Sequence, residues 1–311
     1  MNILLWHLHG SWTTSFVQGK HRYLVPVTPD RGPYGLGRAR TYQWPPAAVE
    51  VNLADVEDVD VVIVQRPEEL DRLPERLRGV AKIYVEHNTP RGDVPNTRHP
   101  MADRDDVLLV HVTHFNELFW DNGGTRTALV EHGIVEPAVR YGGELGHLAV
   151  ATNEPVRRGR VTGTDLIPRF TSVAPVDVFG MGVQGLAGNG ITTYDDLPQD
   201  RMHRELARRR AYLHLCRWTS LGLSLIEAMT IGMPVIVLAT TEAVAAVPAG
   251  AGVLTTDLDT MVEAARWFVE EPEVARRVGQ RARRAAVARY GLDRFLADWD
   301  KLLEAEFCAS R

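Results

Sequence analysis

Short apolar runs rich in β-branched residues recur along the first half of the chain, at residues 3–8, 59–65, 81–86 and 107–112. Polar or helix-compatible segments such as 67–77 and 115–121 separate them. Runs that are hydrophobic throughout describe strands covered on both faces, and their alternation with helical segments describes a parallel sheet. The first half therefore reads as a doubly wound α/β domain. Regularity breaks across 131–151, where Gly133, Pro137, Gly142, Gly143 and Gly146 crowd together, and this stretch reads as a hinge. A second alternation follows, with a strand at 176–179, a helix at 200–210, a strand at 211–215, a helix at 223–230 and strands at 234–239 and 252–255. Helical segments at 258–270, 273–290 and 293–307 close the chain.

A chain of 311 residues accommodates two such domains, each large enough to bury its own core. Open parallel sheets bind ligands beyond the carboxyl ends of their strands, so two of them facing each other predict a cleft lined by the loops that follow strands. A net charge of −5 supplies no positive field for a phosphate polymer, and nucleic acid is not expected as a partner. Cys216 and Cys308 are too few for a disulfide framework, and His7, His9, His111 and His114 lack a carboxylate at ligand spacing, so no metal is expected. The first strand starts almost at once without a leader, and no apolar run approaches the roughly 20 residues that span a bilayer. A soluble, cytoplasmic protein is the expectation.

Two stretches are suited to chemistry. In residues 212–237 a strand leads through Thr219, Ser220, Leu221 and Gly222 into a short helix opened by Leu223, which Gly232 and Pro234 stop before the next strand. Backbone N–H groups at such a helix start suit a phosphate or a sugar hydroxyl. Glu227, within the first turns, has two readings: acceptor of hydrogen bonds from a vicinal diol, or complement to the helix dipole. Near the other end of the chain, Gly10 and Ser11 follow the first strand, where glycine lets a backbone approach a phosphate or an acceptor closely. Tight turns also need glycine whatever they bind.

The 212–237 stretch resembles the retaining GT-B glycosyltransferases, in particular glycosyltransferase family 4. That family's signature is two glutamates separated by seven residues, the second opening Glu-Ala-Met, followed by Gly-x-Pro-Val. Gly222-Leu223, Glu227-Ala228-Met229 and Gly232-Met233-Pro234-Val235 match it, while Thr219 stands where the first glutamate is expected. The resemblance implies that Glu227 binds the ribose of a nucleoside-diphosphate sugar and that position 219 contacts the transferred sugar. It also places His87, in Glu86-His87-Asn88, near that sugar, and Arg157 and Arg158 where the family clamps the diphosphate. An arginine fork in the place of the family's lysine still reaches phosphate oxygens. The implied architecture is GT-B, two Rossmann-like doubly wound parallel-sheet domains facing a cleft. Residues 1–138 form the acceptor domain, 139–292 the nucleotide-sugar domain, and the helix at 293–308 packs back onto the first.

The function that follows is transfer of a sugar from a nucleoside-diphosphate sugar to an acceptor that is a small molecule, a glycan or lipid-linked. Transfer proceeds with retention, without a metal and with no cofactor beyond the donor; a homodimer is left open. A catalytically weak sugar-nucleotide-binding or partner protein and a sugar-nucleotide epimerase are the alternatives. A phosphorylase would need a Schiff-base lysine among only Lys20, Lys82 and Lys301, and a nicotinamide dehydrogenase would need a Gly-x-Gly-x-x-Gly after the first strand, which is absent.

Overall fold

The structure, a computed structural model, describes residues 1–309. The chain divides into two compact units, one formed by Met1–Val135 with the segment from Leu292 onward, the other by Glu136–Gly291.

The first unit contains β1 (Asn2–Leu5), α1 (Gly10–Phe16), β2 (Arg22–Pro26), β3 (Ala48–Val51), β4 (Val61–Val64), α2 (Pro67–Asp71), β5 (Ala81–Glu86), β6 (Leu108–His111), α3 (His114–Phe119) and β7 (Thr127–Leu129). Its strands form one parallel sheet in the order β3-β2-β1-β4-β5-β6-β7. Ile3 pairs with Tyr23 on one side and with Val61 on the other. The Val-Val-Ile-Val of β4 is wholly buried, each side chain worth about 1.5–3 kcal/mol relative to exposure. Those valines and isoleucine are what the continuous apolar run signals.

The second unit contains β8 (Leu145–Ala151), α4 (Pro155–Arg158), α5 (Ile167–Phe170), β9 (Val176–Gly180), β10 (Ile191–Asp195), α6 (Gln199–Arg208), β11 (Arg209–His214) and α7 (Leu223–Ile231). It continues through β12 (Val235–Leu238), α8 (Ala243–Ala246), β13 (Gly252–Thr255), α9 (Leu258–Glu270) and α10 (Pro272–Tyr290). Its sheet is again parallel, in the order β10-β9-β8-β11-β12-β13. Strand order reverses between β1 and β4 in the first sheet and between β8 and β11 in the second. These are the points where an open α/β sheet leaves a crevice for a ligand. The last helix, α11 (Leu292–Ala309), belongs to the first unit: its Phe295, Trp299 and Leu303 are buried, and Trp299 packs edge-on against Trp12 and Phe16.

The structure departs from the sequence pattern in several places. The first strand ends at Leu5, short of residue 8, because His7, Leu8 and His9 form the connection to α1. The segment read as a hinge contains β8, whose Gly146 and His147 interrupt its apolar character. The strands β2, β3, β7 and β10 are not among the expected ones: β10 is largely polar, while β2 carries only the short buried run Tyr23-Leu24-Val25 between Arg22 and Pro26, and β3 and β7 are only four and three residues long. Strand β11 begins at Arg209, two residues before the expected start, because the buried guanidinium is satisfied by Asp177 at 2.7 Å.

Candidate functional site

The connection from β11 to α7 lies at the reversal point of the second sheet. Tyr212 Oη donates to Ser224 Oγ at 2.9 Å, and Ser224 Oγ donates to the carbonyl of Ala151 at 3.1 Å. These bonds fasten the start of α7 to the carboxyl end of β8. Gly222 is the N-cap, and no side chain caps the helix there. A Cβ on Gly222 would stand 2.4 Å from Cε1 of His214, so only glycine lets the chain pass this ring. The loop after β12 holds the connection from the other side: Thr240 Oγ1 donates to the Cys216 carbonyl at 2.8 Å, and the N–H of Glu242 reaches the Ser220 carbonyl at 3.4 Å. At the far end of α7, Gly232 adopts φ +99° and its N–H caps the carbonyls of Ala228 and Met229, the left-handed ending that glycine takes without strain.

Within the connection, Ser220 and Leu221 are buried and Thr219 and Leu223 are half-buried. Leu221 therefore contributes packing, and any contact it makes with a ligand goes through its backbone. Burial pushes the His214 imidazole down to about 4, so it is neutral near pH 7.

Glu227 lies in the middle of α7 and is 2% exposed. Gln199 Nε2 donates to its Oε1 at 3.0 Å, and His203 Nε2 stands 3.4 Å from its Oε2. The carboxylate is thus held between α6 and α7, away from the helix start, and complementing the helix dipole is not its principal engagement. Sequence reasoning missed Gln199 and His203, although their spacing of four places both side chains on one face of a helix.

Arg157 and Arg158 sit on the one-turn helix α4 after β8. Arg157 is exposed and pairs with Glu154 at 3.5 Å. Arg158 is half-buried and near enough to Cys216 to oppose the rise to about 11 that burial imposes on that thiol. The structure therefore brings Arg158 to the end of β11 and leaves Arg157 on the surface.

In the first unit, His87 follows β5 and is half-buried. Its ring lies 4.2 Å from that of His9, 6.2 Å from that of His132 and 5.1 Å from that of Trp12. Burial holds His87 well below its usual value, lowers His9 to about 4 and lowers His132 to about 3. The three imidazoles are neutral at pH 7, able to exchange hydrogen bonds with hydroxyls but not to offer positive charge. Gly10 opens α1, and the Tyr42 ring sits so close that a Cβ on Gly10 would meet its Cε2 at 2.6 Å. Ser11 Oγ lies 3.5 Å from the Tyr42 hydroxyl. This Gly10–Ser11 segment is therefore faced by Tyr42, a neighbour 32 residues on that no local pattern announces. Among the described residues, no group of three or more His, Cys, Asp or Glu side chains is disposed to hold a metal ion, and no helix is long and apolar enough to cross a membrane.

Residues 186–285, which run from before α6 into α10, match the family described as Glycosyl transferases group 1. No curated protein matches the chain in sequence. Among solved structures, sucrose-phosphate synthase from Thermosynechococcus elongatus superposes with a TM-score of 0.74 over 99% of this chain and 100% of that one, at 13% identity. HepE from Anabaena in complex with UDP gives 0.70 over 98% and 100% at 14% identity. AviGT4, a glycosyltransferase involved in avilamycin A biosynthesis, gives 0.66 over 99% and 98% at 16% identity. At these identities the likeness is one of fold, and the fold is GT-B.

Proposed function

We propose, for a chain with the GT-B fold whose residues 186–285 carry a Glycosyl transferases group 1 domain, that it transfers a sugar from a nucleoside-diphosphate sugar to an acceptor. The observation that carries this reading is α7, a largely buried helix whose start at Gly222 has no side-chain cap and stands at the reversal point of a parallel sheet. Free N–H groups at a helix start and the local dipole favour a phosphate.

On this reading Glu227 accepts from the ribose hydroxyls. The N–H groups near Gly222 and Leu223, with Arg158, stabilise negative charge as the diphosphate departs. His87, neutral, exchanges a hydrogen bond with a hydroxyl of the transferred sugar, and the first unit receives the acceptor, whether a small molecule, a glycan or a lipid-linked group. Transfer proceeds with retention, and the reaction uses neither a metal nor a cofactor beyond the donor. HepE was solved with UDP, which makes UDP-sugars the first donors to test.

Thr219 favours one second reading. A hydroxyl in place of the expected glutamate removes a charge from the position that touches the sugar, which suits a protein that binds sugar nucleotides and turns them over weakly. Release of nucleoside diphosphate from UDP-, GDP-, ADP- and TDP-sugars, followed with and without pooled sugar and lipid acceptors, separates the two. A transferase releases diphosphate when acceptor is added, whereas saturable donor binding with no release in any pool selects the binder.

A further inference from the structure

We infer that Gln199 and His203 are positioning residues that hold the Glu227 carboxylate in the orientation a nucleotide ribose requires. The inference rests on the reading of Glu227 as the ribose acceptor and adds to it the two side chains through which α6 acts.

An ionised carboxylate as buried as Glu227 is costly unless donors meet it. The partners come from α6, one helical turn apart, and each addresses a different oxygen: Gln199 Nε2 donates to Oε1 at 3.0 Å, and His203 Nε2 stands within ion-pair distance of Oε2, 3.4 Å. The terminal torsion of a glutamate is broad and roughly two-fold, so a carboxylate engaged at one oxygen can still swing. Engagement at both oxygens fixes its plane. Each carboxylate oxygen can accept two hydrogen bonds, and a pair of vicinal hydroxyls, whose own spacing is fixed, meets both oxygens only when that plane is set.

His203 is 5% exposed, its buried Nε2 has no hydrogen-bond partner among the described residues, and the Glu227 carboxylate is the group it faces, at ion-pair distance. A helix–helix contact maintained by packing alone would gain nothing from this imidazole, since Leu206 and Ala207 of the same helix already supply buried apolar surface.

The test uses whichever of UDP, GDP, ADP and TDP the wild-type protein binds, with affinity measured by titration calorimetry and folding by melting temperature. Gln199→Ala and His203→Ala are each expected to weaken that diphosphate about fivefold, and His203→Gln, which restores an N–H donor, to recover most of the loss. In a Glu227→Ala background neither substitution should weaken binding further, because the group they orient is gone. If Glu227→Ala weakens binding while His203→Ala and Gln199→Ala leave it unchanged, the inference is overturned and the ribose role of Glu227 stands. If the diphosphate binds and Glu227→Ala changes nothing, the ribose role itself fails and takes the inference with it. Should His203→Ala not fold, His203→Gln against His203→Leu in melting temperature and affinity decides: equal affinity for two folded variants contradicts positioning.

Discussion

A Cβ on Gly222 would come within 2.4 Å of the Cε1 of His214, so the path of the chain into α7 depends on the absence of a side chain beside a buried imidazole. Forcing a methyl group into packed space costs about 1–3 kcal/mol. Gly222→Ala is expected to lower the melting temperature and to weaken nucleoside diphosphate binding, because the displaced backbone carries the N–H groups assigned to the phosphate. In the His214→Ala background the same change should cost less, and calorimetric melting of the four proteins reads this non-additivity. Additive penalties would mean that the two groups do not compete for the space.

His111, His132 and His214 are neutral in the fold, lowered to about 4, about 3 and about 4 by burial. An unfolded chain protonates them near 6.5. The folded protein therefore binds fewer protons than the unfolded one between pH 6.5 and about 4, and stability falls as pH falls through that window, by up to about 1.4 kcal/mol per pH unit for each group. Above pH 6.5 these groups contribute no slope. Urea unfolding at pH 7.5, 6.0 and 5.0 should show a plateau and then a decline, and a flat profile down to pH 5 would contradict the burial of these rings.

His87→Ala is expected to reduce sugar transfer more than tenfold in kcat/KM while leaving the affinity for nucleoside diphosphate unchanged. The histidine lies in the first unit and Glu227 in the second. Equal losses in both measurements would assign His87 to the folding of the chain.

Thr219→Ala tests what a hydroxyl contributes where the family signature has a carboxylate. A neutral hydrogen bond is worth about 0.5–1.5 kcal/mol, so kcat is expected to fall about two- to tenfold with diphosphate affinity unaltered. Complete loss of transfer would give Thr219 a larger part than a neutral contact allows.

The fold and the β11–α7 connection are legible in the sequence to different depths. The buried runs of β4, β5 and β12 and the long helices α9 and α10 declared themselves by continuous or periodic hydrophobicity, and Gly222, Glu227 and Gly232 by their order along the chain. What the chain does locally cannot show which distant group meets a given residue. Tyr42 against Gly10, His214 against Gly222 and α6 against Glu227 are tertiary encounters. The histidines show this most sharply: His9 follows β1 and His132 follows β7, far apart in sequence, and the parallel sheet order places both beside His87.

The central claim is that Glu227 receives a nucleotide ribose, and calorimetric titration with a ribonucleoside diphosphate and its 2′-deoxy counterpart, on wild type and Glu227→Ala, tests it most directly. Charge-assisted hydrogen bonds of this kind are worth about 1.5–3 kcal/mol each. Glu227→Ala should therefore weaken the ribonucleotide at least tenfold. The wild type should discriminate against the deoxy ligand, and the mutant should lose that discrimination. A mutant that binds the ribonucleotide as tightly as the wild type, or keeps the full deoxy penalty, would contradict the claim.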